Sequence, residues 1–125
     1  MNRGLIFFTL LALTTSAFAE DGFEAGKILS ETHCARCHVV GNYNKFGGIG
    51  STPSFNLLVG MRDGLERFRT FYERRPHPAF VSVPDVPQWT NLAPYATPFI
   101  VTPKNIEDLL TFVKSLKPKL LHGKL

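Results

Sequence analysis

Residues 34–38 read Cys34-Ala35-Arg36-Cys37-His38, and these two cysteines are the only ones in the chain. One closely spaced pair cannot frame a multi-bridge disulfide scaffold, so the fold must find its core in packing or in whatever the thiols hold. With 125 residues there is room for one domain and too little core for separate substrate and cofactor domains. An apolar fraction of 44% against 19% charged residues excludes a disordered chain. The formal charge of +4 is too small an excess to argue for nucleic acid.

Three chemistries use such a pair. It can be a disulfide or a redox dithiol. It can be half of a zinc site. Or both thiols add to the vinyl groups of a haem while the adjacent histidine coordinates the iron, the c-type attachment sequence. A dithiol has no use for His38 and normally follows a strand, whereas the residues upstream read helical. Zinc needs two more ligands, and the chain offers no second cysteine pair, only the scattered His33, His77 and His122. Cysteines three apart on a helical turn present both sulfurs to one edge of a porphyrin, and the next residue reaches the metal. Haem attachment through Cys34 and Cys37, with His38 as proximal ligand, is therefore the expectation.

The N-terminus gives independent support. Arg3 precedes an apolar run from Leu5 to Leu13, and Ala17-Phe18-Ala19 then leads into Glu20-Asp21. This is the pattern of a signal peptide, 1–19, cut after Ala19, and it implies export to the periplasm, where covalent haem is attached. The apolar run falls short of the ~20 residues a spanning helix needs, and no later stretch is long and apolar enough to cross a membrane.

Within 20–125 the apolar spacing predicts a helix over 21–33 with Phe23, Ala25, Ile28 and Leu29 on its stripe. A Gly- and Asn-rich loop over 39–55 and a short turn over 56–60 follow. A second helix over 63–75 carries Leu65, Phe68, Phe71 and Tyr72, and Pro76 stops it. Seven prolines between 76 and 103 impose an extended loop. The last helix, 103–117, has Thr102 as N-cap and Ile106, Leu109, Leu110, Val113 and Leu116 on one stripe. So long a loop suits so small a domain only if a large flat apolar group fills the core. The aromatic residues Phe46, Phe55, Phe68, Phe71, Tyr72, Phe80, Trp89, Tyr95 and Phe99 are read as its lining.

Taken together these residues resemble a bacterial class I cytochrome c. Gly26, eight positions before Cys34, is similar to the first-helix glycine that such proteins press against an aromatic residue of the last helix, here Phe112. Thr52-Pro53-Ser54-Phe55 resembles the Gly-Pro-x-Leu element. The resemblance implies that the Pro53 carbonyl accepts from the His38 ring and orients it. It also implies an all-α cytochrome c fold, three to four helices and their loops wrapped around one covalent haem c.

One feature of that family is missing. The methionine expected before the last helix is absent, and Tyr95-Ala96-Thr97-Pro98-Phe99 stands in its place. Three alternatives remain for the sixth iron position. His77, between Pro76 and Pro78, ranks first; open coordination ranks second; Met61, expected to pack beside Leu57 and Leu58, ranks third. Bis-histidine ligation would lower the potential relative to a His/Met pair, and an open site would admit NO, CO or peroxide.

The functional expectation is a periplasmic, monomeric electron carrier that turns over no substrate and passes single electrons between a protein donor and a protein acceptor. Lys27, Lys114, Lys117 and Lys119 form a candidate docking face for an acidic partner. The alternative is a haem protein that binds or senses small ligands, or a weak peroxidase. Arg74, Arg75, Trp89 and Tyr95 are candidates for contact with a haem propionate.

Overall fold

The computed structural model of the chain describes residues 16–117. Of the expected signal segment, residues 1–15 lie outside the described residues, as do Lys119, His122 and the remainder of the C-terminal tail. The chain is mostly helical: α1 spans Ser16–Leu29, α2 Phe55–Gly60, α3 Gly64–Arg69 and α4 Pro103–Ser115, and two two-residue strands, β1 Val81–Ser82 and β2 Phe99–Ile100, pair in parallel. No described helix is long and apolar enough to cross a membrane.

The packing of α1 on α4 organises the rest. The face that α1 turns inward is made of small residues one turn apart, Gly22, Gly26 and Ser30, all buried. A Cβ on Gly26 would stand 2.9 Å from the Leu109 nitrogen and closer still to the Asp108 carbonyl, so the two backbones touch and only glycine fits. This corrects one member of the expected stripe: Phe23 and Leu29 pack on the core, but Ile28 is 59% exposed, because close approach of the backbones leaves no room for a branched side chain between them. Phe112 packs edge-on against Phe23, centroids 5.6 Å apart, one turn along α4 from the Gly26 contact. From α4, Ile106, Leu109, Leu110, Phe112 and Val113 enter a core completed by Val40, Phe55, Val59, Phe68, Phe80, Val81 and Val101.

Thr102 caps α4 as expected, accepting from the Asn105 amide while Asn105 answers to the Thr102 amide, and Pro103 occupies the first turn. The helix expected over 63–75 is shorter. It ends at Arg69, where the Thr70 hydroxyl takes the Glu66 carbonyl and the chain tightens into a 3-10 turn at Phe71–Glu73. The helix over 21–33 likewise stops early, and Ser30–Cys34 widens into a π-helical turn in which the Ala35 amide donates to the Ser30 carbonyl at 3.1 Å. The buried Ser30 hydroxyl holds the Gly26 carbonyl at 2.7 Å. What was expected as a turn over 56–60 is a short helix capped by Ser54. Between α3 and α4 the proline-rich segment, expected to be extended, begins with the 3-10 turns Phe71–Glu73 and His77–Ala79 and otherwise forms no element longer than two residues, and the two-strand bridge ties its ends together.

Candidate functional site

The π-helical turn delivers Cys34 at its end, and the next residues curl back so that the amides of Cys37 and His38 both donate to the Cys34 carbonyl. Both cysteines are free thiols, partly buried. Burial, reinforced by the neighbouring Cys37, pushes the Cys34 thiol up to about 12. At neutral pH it is therefore protonated, the opposite of the activated thiolate on which dithiol redox proteins depend.

From this turn the His38 ring projects toward the segment after α3. Its Nδ1 lies 2.7 Å from the Pro53 carbonyl oxygen. A carbonyl only accepts, so Nδ1 carries the proton and the lone pair is on Nε2. His77, 39 positions further on, sits in the turn His77–Ala79 behind Pro76, and its Nδ1 donates to the Arg74 carbonyl at 2.9 Å. The same argument puts its lone pair on Nε2. Burial lowers both histidines from their usual value. The Pro53 carbonyl partly opposes this for His38; for His77 the Arg74 carbonyl opposes it and the nearby His38 adds to it. In both, burial disfavours the charged imidazolium relative to the neutral ring, and the neutral ring is the form that binds metal.

The two rings are parallel, 6° between planes, with centroids 6.1 Å apart. That is the spacing of two imidazoles on opposite sides of one metal atom, because an imidazole nitrogen binds a transition metal at ~2 Å and each ring centre lies a further ~1 Å behind its nitrogen. Aromatic side chains enclose the pair: Phe55 lies edge-on to His38 at 5.5 Å, and Phe71 and Phe80 approach His77 at 5.3 and 5.8 Å. Phe55 is itself backed by Phe68 at 4.8 Å.

Met61 terminates α2 and is 37% exposed, as is Leu57 beside it at 57%, so neither packs as core; α2 turns Phe55 and Val59 inward instead. His33 stacks on Phe99 at 4.2 Å. Of the nine aromatic residues expected to line a cofactor, Phe46 projects fully into solvent, and Trp89 and Tyr95 are exposed. Trp89 lies under the Arg75 guanidinium at 5.2 Å, and with Pro76, Pro78 and Tyr95 these residues line a shallow cleft beside the His77 turn. Arg74 donates to the Thr70 hydroxyl. Lys27 pairs with Glu24 at 3.7 Å, while Lys114 and Lys117 stand exposed at the end of α4.

Sequence reasoning passed over Asn44. Its side chain makes three hydrogen bonds to the turn that carries the cysteines and His38: Nδ2 donates to the carbonyls of Ala35 and His38, each at 2.8 Å, and Oδ1 accepts from the Val40 amide at 2.7 Å. The available signal was an asparagine placed six residues after His38 in a Gly-rich loop, where side-chain amides commonly replace missing backbone partners.

Among the described residues, no three of His, Cys, Asp and Glu gather into a metal-binding group. The pair by itself offers two nitrogen donors, Nε2 of His38 and Nε2 of His77. The chain matches no family model, no curated protein and no solved structure.

Proposed function

We propose that this chain is an exported, monohaem c-type cytochrome with bis-histidine coordination, carrying single electrons between partner proteins. The observation that carries the reading is the parallel His38 and His77 pair, 6.1 Å between centroids, with both Nδ1 atoms committed to backbone carbonyls. A haem would supply a reversible one-electron iron couple, its potential set by axial ligands and burial.

The protein's own residues account for the rest. Cys34 and Cys37 would fix the macrocycle at one edge. His38 and His77 would hold the iron from both sides in fixed tautomers, and the Pro53 and Arg74 carbonyls increase the basicity of each ring. Phe55, Phe71 and Phe80 exclude water from the neighbourhood of the rings, which keeps reorganisation on electron transfer small. With His38 and His77 both bound, the metal would have no site left for substrate, so the role would be transfer between proteins. The all-α cytochrome c fold, the periplasmic location and an acidic partner meeting Lys114 and Lys117 belong to the same proposal.

Expression in a host that attaches haem to exported proteins tests it. The reading expects one haem per chain, retained after denaturation, and a ferrous spectrum with a sharp low-spin α-band. A chain purified with free thiols and no haem overturns it.

A further inference from the structure

We propose that Asn44 is a positioning residue for His38, setting how firmly that imidazole is presented to the iron; this rests on the bis-histidine reading above. His38 is gripped at two points. Its ring is held by Pro53. Its backbone is held by Asn44, whose single amide spans Ala35, His38 and Val40 and so closes the turn from the first thioether side to the residues after the ligand. The amide orientation is dictated by its partners: two carbonyls require the nitrogen, and one N–H requires the oxygen.

The loop bearing Asn44 is itself seated on the same turn. The Ile49 amide donates to the Cys37 carbonyl at 2.9 Å. Gly48, with φ of +77°, passes so close that a Cβ there would lie 3.1 Å from both the Cys37 oxygen and the His38 carbonyl carbon. Loop 43–49 therefore acts as a clasp on residues 35–40, with Asn44 as its polar contact. Removing the amide leaves the Ala35 and His38 carbonyls and the Val40 amide to water, and the backbone that aims His38 can turn. Outer contacts of this kind change ligand strength by roughly 10–100-fold when lost.

The test uses the haem-loaded full chain. In the His77→Ala background, where His38 alone would hold the ferrous iron, the iron–histidine stretching band in the resonance Raman spectrum reports His38 directly. Asn44→Ala is expected to broaden and shift that band. In the otherwise native chain it is expected to raise the high-spin fraction of the ferric protein tenfold or more. Asn44→Asp, which keeps the acceptor for Val40 and the volume but loses both donors, should behave like Asn44→Ala even if the alanine variant is poorly folded. Thr102→Ala, which removes the α4 cap and no contact of Asn44 or His38, should lower the melting temperature and leave both readouts unchanged. If the Asn44 variants lower the melting temperature but leave band and spin state as in the parent, the residue is only structural and the proposal is overturned. If the parent chain holds no low-spin haem, the bis-histidine reading fails, and this inference with it.

Discussion

Gly26 lies against the backbone of Asp108 and Leu109 with no room for a methyl group between the helices. Gly26→Ala is therefore expected to force α1 and α4 apart and to cost on the order of 3 kcal/mol or more. Gly50→Ala, where an added Cβ meets nothing within 4 Å, should be within ~0.5 kcal/mol of the parent. Urea unfolding of the two variants checks the contrast.

The capping box of α4 gives a smaller and separate effect. Thr102→Ala removes the acceptor for the Asn105 amide and should cost about 1 kcal/mol, read as a lower midpoint with an unchanged slope in denaturant.

Lys104 holds the buried Asp108 carboxylate at 2.8 Å. Hydrogen bonding to Asp108 raises the Lys104 ammonium above its ordinary 10.5. A raised cation stabilises the fold fully below the unfolded value and loses that contribution as pH rises through the folded one. The difference in melting temperature between the parent and Lys104→Met should thus be constant across the neutral and mildly alkaline range and shrink only above pH 10.5. A difference that already disappears near pH 8 would contradict the pairing.

On the haem reading proposed above, each cysteine would carry one attachment. Cys34→Ala and Cys37→Ala should each leave one covalent link, and the double variant none, so that haem migrates with the single variants on a denaturing gel and is lost from the double.

How much of this was legible in the residues depends on the scale of the forces involved. The Thr102 cap and the α4 stripe are local, and both were readable where they stand. The early ends of α1 and α3 were not, because Ser30 and Thr70 hydroxyls compete for backbone carbonyls inside otherwise helical patterns. The inward face of α1 was legible in part: Phe23 and Leu29 pack on the core and Gly26 meets the last helix as expected, whereas Ile28 faces outward and Gly22 and Ser30 line the interface instead. His77 could be ranked from its two prolines, but its meeting with His38 is a tertiary fact across 39 residues. Met61 was expected to pack as core from composition alone, and the burial of Phe55 and Val59 leaves it outside.

The central claim is that His38 and His77 bind one haem iron from opposite sides. The most direct measurement is the spectrum of the purified protein and of His77→Ala, each with and without CO. The account predicts a low-spin parent indifferent to CO and a high-spin variant whose ferrous bands shift when CO is added. A parent that already binds CO, or a variant whose spectrum matches the parent, would contradict it.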